Sequence, residues 1–288
     1  MTSSIANETV DHSKNREPFS FYKFITNKYF LNVVSIVLFL ALWDYVAKEK
    51  IFRDSLARPL EVVDQLYRLT YMKFAGTNLI GHIWASTQRV LIGFIAAERA
   101  EIEARTADIA EEDKPAVYIC GLGNWGTTNH LMTAQDYVSF RVANVKNVVS
   151  GLGAPGAQPI EAEKFVALGE DMDAMIFDAA AVKNIKPLYA EDPTMFDTCR
   201  AWREGEAYLQ LAYNAYYTNY EIALINTWFA AKTAYPDRFE DVDMTEVTDR
   251  VTTAFLGKPL AEEIYACPNS FGGYQKIDTA TFFAGTQG

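Results

Sequence analysis

Apolar residues follow three different rhythms along this chain. From Phe30 to Ala47 they run almost without a break, FLNVVSIVLFLALWDYVA, with Asp44 the single charge. As a helix this stretch would measure about 27 Å at ~1.5 Å per residue, just under the ~30 Å hydrocarbon core of a bilayer. Tyr29, Phe30, Trp43 and Tyr45 stand at its two ends, and Lys23, Lys28, Lys48, Lys50 and Arg53 flank it. Rings and cations in those places suit a membrane span, which the pattern predicts over residues 30–47. A buried core helix has a similar composition, and the flanking cations weigh for the membrane. The leader, residues 1–29, is polar and long, and no small-residue cleavage site follows, so an uncleaved anchor is expected.

The second rhythm is helical and amphipathic. Pro59 opens PLEVVDQLYRL, which places Leu60, Val63, Leu66 and Tyr67 on one face. The run LIGHIWASTQRVLIGFIAA (Leu79 to Ala97) follows and stops at Glu98 and Arg99. The next stretch, ERAEIEARTADIAEEDKP, is charged and helix-prone, with Ile102, Ala104 and Ile109 as its apolar anchors.

In the third rhythm, short apolar runs alternate with helical periods. Strands are expected at Ala116–Cys120, Ala174–Phe177 and, more weakly, Ala207–Leu211. Helices are expected at Ala134–Ala143, Ile160–Leu168, Tyr220–Tyr235 and Met244–Leu256. That alternation predicts an α/β layer with a mostly parallel sheet. The helix at 244–256 is punctuated by Asp243 as N-cap, Glu246 in the capping-box position, Gly257 after its end and Pro259 beyond. The helix at 220–235 is apolar around most of its circumference and is expected to be buried on several sides.

Charge divides the chain at the same place. Residues 1–97 carry eleven Lys and Arg against eight Asp and Glu, a net +3; residues 98–288 carry fifteen against twenty-nine, a net −14. An acidic body argues against nucleic acid, whose phosphates demand Lys and Arg. Cys120, Cys199 and Cys267 are far apart without a CxxC pair, and His12, His82 and His130 are as scattered, so neither a disulfide framework nor a Cys/His metal site is expected. There is no G-x-S-x-G, HExxH or Walker loop, and DRFEDVD (Asp237–Asp243) lacks EF-hand spacing, so no enzyme activity and no cofactor are expected.

One motif argues the other way. Val117-Tyr118-Ile119-Cys120 runs into Gly121-Leu-Gly123-Asn-Trp-Gly126, a G-x-G-x-x-G directly after a strand. A dinucleotide site also needs an acid about 20 residues later, at the end of the second strand. The next strand candidate, NVKNVVSGLGAPG (Asn144–Gly156), ends in Ser150 and glycines, and Asp136 comes too early, inside the expected helix. The fingerprint is incomplete.

Two resemblances extend this reading. The order of a first span, ARPLEVVDQL and LIGHIWASTQRVLIGF resembles the N-terminal part of permeases of nitrate, sulfonate and taurine ABC importers, through Pro59, Val62 or Val63, His82, Ser86, Arg89, Val90, Gly93 and Phe94. It covers residues 30–97, whereas such a permease continues through several more spans. Residues 98–288 resemble the C-terminal lobe of extracytoplasmic binding proteins for iron–siderophore, haem and corrinoid uptake. The carriers are RTADIAEEDKPAVYICGLGNWGTTNH, IEAEKFVALGEDMDAMIFD, AKTAYPDRFEDVD, FLGKPL and FGGYQKID. In that family two lobes are joined by one long helix, whose tail AERAEIEARTADIAEED resembles; the permease-like piece stands where the first lobe is expected, so the cleft is expected to be incomplete.

These resemblances imply a Rossmann-like lobe of periplasmic-binding-protein type behind a helical membrane-anchor segment. The implied function is the membrane-anchored substrate-binding component of an ABC importer for a metal chelate (siderophore, haem or corrinoid), with permease and ATPase subunits as partners. Its lobe is expected outside the cell membrane. A chimera without transport activity and a permease fragment remain the alternatives. In open α/β sheets ligands sit beyond the carboxyl ends of the strands. The loop after the first strand offers Trp125, Thr127, Asn129 and His130, and the loop after the third, AYNAYYTNY, offers Tyr213, Tyr216 and Tyr217. Aromatic walls suit a flat corrin, haem or catecholate. Tyrosines packed on their own core, and a histidine that is ordinary polar surface, are the plainer alternatives. The family resemblance also implies an exposed glutamate that docks on permease arginines: Glu163, or else Glu161. An ordinary solvated glutamate fits the same positions.

Overall fold

The computed structural model describes residues 28–49, 56–73, 76–123, 128–214 and 218–284. It divides into two compact units, residues 1–85 and 86–288.

In the first unit, helix α1 (Lys28–Lys48) has Ala47 as its one buried residue. Helix α2 (Pro59–Tyr71) starts with Pro59 at its first position, and the Glu61 carboxylate accepts the Arg58 backbone N–H at 3.0 Å. The two are tied at one end. The Trp43 indole N–H donates to the Ala57 carbonyl at 3.0 Å, and Arg58 Nε donates to Asp44 at 2.8 Å, while Lys48 pairs with the same carboxylate at 2.6 Å. Helix α3 (Leu79–Thr106) runs across the division between the units. Both α1 and α3 are long and apolar enough to cross a membrane by length and composition. The sequence pattern predicts one such span. The second lies in α3, whose run from Leu79 to Ala97 is continuous helix and so reaches spanning length although Gln88 and Arg89 interrupt its apolar residues.

The second unit is built on a five-stranded sheet in the order β3-β1-β5-β6-β7. The strands are β1 (Ala116–Cys120), β3 (Lys146–Asn147), β5 (Ala174–Asp178), β6 (Ala207–Gln210) and β7 (Gln275–Lys276). All neighbours are parallel except β7, which runs antiparallel to β6. The fold is therefore α/β with a mostly parallel sheet, as the alternating pattern predicts. A separate antiparallel pair, β2 (Met132–Thr133) with β4 (Gln158–Pro159), stands beside it.

Both faces of the sheet are covered, which is why β1 and β5 read as unbroken apolar runs. Side chains alternate between the faces. Val117, Ile119, Ala174 and Ile176 join one core with helices α4 (Val138–Val142), α8 (Tyr220–Ala234) and α9 (Met244–Leu256). Tyr118, Cys120, Met175, Phe177 and Leu209 join the other with α5 (Ala162–Leu168), α6 (Ala179–Glu191) and α7 (Arg200–Arg203). A short helix, α10 (Ala261–Tyr265), follows α9. Helix α8 buries nine of its residues, as its apolar circumference predicts.

Three local expectations are corrected. Helix α4 begins at Val138, not Ala134, because residues 134–137 are tied elsewhere: the Ala134 carbonyl accepts from Asn147 Nδ2, and the Gln135 side chain brackets Leu152. Asp136 therefore precedes the helix. The stretch from Asn144 to Gly156 yields a strand of two residues only. Helix α6 has no counterpart in the pattern, because Pro187 lies inside it and withholds one backbone donor; burial of Val182, Ile185 and Tyr189 at helical spacing holds it.

Helix α9 has the predicted bounds. The Asp243 carboxylate accepts the Thr245 and Glu246 N–H groups at 2.7 and 3.1 Å, and Gly257 ends the helix with φ +81°. Asp243→Ala is expected to cost about 1 kcal/mol by removing this cap, read as a lower midpoint in urea unfolding; an unchanged midpoint would count against the cap.

Candidate functional site

The carboxyl ends of β1, β5 and β6 lie side by side, since Cys120 is in register with Phe177, and Asp178 with Gln210. Three segments leave this edge: the loop from Gly121, the start of α6 at Ala179, and the loop from Leu211. They pack closely. A Cβ on Gly121 would lie 2.2 Å from the Ala181 Cβ, and Gly121 has φ +79°, so the position demands glycine on both counts. A Cβ on Gly123 would lie 3.0 Å from the Ala180 Cβ and 3.2 Å from the Asn214 carbonyl. Asn214 Nδ2 donates to the Gly123 carbonyl at 3.3 Å, which holds the two loops together.

This geometry gives the glycines of the G-x-G motif a role. They admit the first turn of α6, a helix from another part of the chain. In a dinucleotide fold the glycine loop opens a helix of its own. Here Gly121 and Leu122 bond to the Met132 carbonyl, and the next helix among the described residues begins at Val138.

Behind the loops sits a buried polar network that the pattern does not single out. Asp178 ends β5 and caps α6, its Oδ1 accepting the Ala180 N–H at 2.9 Å. Gln210 ends β6 and donates from Nε2 to Asp178 Oδ2 at 3.2 Å and to the Tyr137 hydroxyl at 3.0 Å. All three side chains are buried. Burial raises the Asp178 carboxyl to about 7, against the opposing pull of the Ala180 N–H and the Gln210 amide. Burial likewise pushes the Tyr137 hydroxyl up. The readable signal for Asp178 was its place: a carboxylate closing an apolar strand just before a run of alanines.

Tyr213 belongs to this group. Its ring lies 6.2 Å from that of Tyr137, and its hydroxyl is pushed up to about 12, first by burial and then by the nearby Asp178 carboxylate. Asn129 and His130 do not join it. Asn129 is spent on its own turn, where Oδ1 accepts the Leu131 N–H at 3.0 Å. His130 lies on the opposite face of the sheet: its carbonyl accepts the Tyr118 hydroxyl at 2.9 Å, and its ring packs edge-on against Phe165 and Phe196. Burial lowers the imidazole to about 4, and Nδ1 has no hydrogen-bond partner among the described residues. Trp125, Thr127, Tyr216 and Tyr217 lie outside the described residues.

Glu161 and Glu163 are both exposed, one just before α5 and the other in its first turn. Among the described residues no group of three or more His, Cys, Asp or Glu is placed to hold a metal ion.

No family model matches the chain, and no curated protein matches it. Solved structures do. The molybdate periplasmic binding protein of Haemophilus influenzae aligns at 17% identity and TM-score 0.45, over 57% of this chain and 49% of that one. An ABC transporter solute binding protein from Sulfurospirillum deleyianum aligns at 16% and 0.49, over 62% and 54%. A periplasmic solute binding protein from Veillonella parvula aligns at 15% and 0.48, over 64% and 55%. The likeness is one of fold. This chain spans about half the length of the solved proteins it matches.

Proposed function

We propose that the chain is a membrane-anchored binding component of an ABC importer whose cargo is an iron chelate or a corrinoid. In this reading α1 is the anchor, the α/β lobe of residues 98–288 lies outside the membrane, and permease and ATPase subunits are its partners. The observation that carries the reading is the carboxyl edge of the parallel sheet. There, glycine-bearing and tyrosine-bearing loops converge over the Asp178–Gln210–Tyr137 network. Such an edge is where an open α/β sheet takes a ligand, and Tyr213 supplies an aromatic wall to it, with Trp125, Thr127, Tyr216 and Tyr217 carried by the same two loops. Asn129 and His130 stand as the outlying members of the proposed set. The resemblance of residues 98–288 to chelate-binding lobes supports the cargo class. Exposed Glu163, or Glu161, is the docking point for a permease arginine.

Unfolding of the full chain in detergent, with and without ferric siderophores, haem or cobalamins, tests the cargo. A specific ligand at about 100 times its Kd is expected to add ~2.7 kcal/mol of stability. No gain with any of them would remove the binding function.

A further inference from the structure

The geometry points to a second membrane contact: helix α2 (Pro59–Tyr71) lies in the interfacial zone of a lipid bilayer, parallel to its surface, with its apolar face toward the acyl chains. This rests on the reading of α1 as the anchor. At ~1.5 Å per residue, 13 residues make a helix of about 20 Å, too short for the ~30 Å hydrocarbon core. Its faces are also unequal. Glu61, Asp64, Gln65 and Arg68 share one side, where Asp64 and Arg68 pair at 2.9 Å. Leu60, Val63, Leu66, Tyr67 and Tyr71 make the other, and all five are exposed. A helix with one charged face and one apolar face, too short to cross, is suited to the boundary between headgroups and chains.

The contacts to α1 set the depth. Arg58, directly before α2, binds Asp44, and Ala57 accepts the Trp43 indole N–H. Trp43 and Asp44 sit near the end of α1, with Lys48 at its last position. An indole, a carboxylate and two cations mark the level of the headgroups, so α2 begins at that level. The exposed apolar surface of α1 (Val37, Leu38, Phe39 and Leu42) meets the same bilayer. The occupant is phospholipid, not a protein groove.

The test uses the full chain in vesicles of phosphatidylcholine and phosphatidylglycerol. Cys267, the exposed thiol, is replaced by Ser, and single nitroxides are placed at Val37, Val63, Gln65 or Tyr67. Collisions with oxygen, which concentrates among acyl chains, are compared with collisions with a water-soluble nickel chelate. The expected result is lipid exposure at Val37, a severalfold preference for oxygen at Val63 and Tyr67, and the reverse preference at Gln65. Equal chelate access at Val63, Gln65 and Tyr67, with Val37 still in lipid, would overturn the proposal and leave the anchor standing. Chelate access at Val37 would overturn the anchor and the proposal with it. Exclusion of both quenchers at Val63 and Tyr67, with dipolar broadening, would assign the face to a second copy of this chain and overturn the lipid contact.

Discussion

Replacing Glu98 by Ala is expected to lower the stability of the 86–288 lobe by about 3 kcal/mol. For a lobe of this size that loss corresponds to a fall in Tm of roughly 6–12 °C. Glu98 lies on α3, at the start of the stretch that reads as charged and helix-prone in the sequence, yet its side chain is only 8% exposed. It binds Arg250 in a two-point clasp, Nε to Oε1 and Nη2 to Oε2, both at 2.9 Å. It also accepts the buried Trp228 indole N–H at 2.7 Å. The Arg250 guanidinium lies 5.4 Å from the Trp228 ring centroid, so three residues from three helices close one another. Removing the carboxylate leaves the indole N–H without an acceptor in a dry site. Arg250 is 44% exposed and recovers part of its loss in water, which holds the effect to the lower end of the range for broken buried pairs. Glu98→Gln keeps an acceptor for Trp228 and is expected to lose about half as much. Urea or thermal unfolding of the three proteins measures the series; an Ala variant as stable as the parent would show that the clasp contributes nothing net.

The second large effect concerns pH. Asp178 titrates at about 7 in the folded protein against 3.8 without its surroundings, because burial disfavours its charge. Between those values the folded state holds a proton that the unfolded state has released. Stability from this group is therefore full below about pH 4 and is lost as pH rises through 7, a change of about 4 kcal/mol over the window. Asp178→Asn resembles the protonated acid at every pH. At pH 5 the variant and the parent are expected to be similar, and at pH 8 the variant is expected to be the more stable. The gain is smaller than the full change, about 2 kcal/mol, because the amide must find acceptors beside Gln210. Identical pH profiles for the two proteins in urea unfolding would show that Asp178 is not held in its neutral form. The same network stands at the carboxyl edge of the sheet, so a ligand that supplied a positive charge there would be expected to favour the ionised acid.

Much of the architecture was written in local patterns. The unbroken apolar runs Ala116–Cys120 and Ala174–Phe177 announce strands buried on both faces, and such strands are parallel because crossover helices cover them. The bounds of α9 follow from Asp243 and Gly257, since capping is decided by a few adjacent residues. The same holds for α1 and α2, whose faces and ends need no partner to be read.

The site was less legible. The sequence placed two loops at the carboxyl edge and named their aromatic and polar residues, but it could not say which way each one points. His130 and Tyr213 both follow strands that end at this edge, and they lie on opposite faces of the sheet. That sidedness depends on where each loop turns back, which Asn129 fixes for one and the Asn214 contact for the other. The G-x-G glycines carry a strong local signal of phosphate binding. Their contacts with α6 give them a different purpose, and α6 is hidden in the sequence by Pro187.

By itself, then, the sequence determined where the chain is apolar, where the strands Ala116–Cys120 and Ala174–Asp178 and the capped helix α9 lie, and that an α/β lobe follows an anchor-like helix, because these depend on neighbours within a few residues. Only the tertiary structure decided that Asp178, Gln210 and Tyr137 meet, and that Glu98 reaches Arg250 across 152 positions. Burial and its consequences for charge are set by groups distant in sequence, and no local pattern carries them.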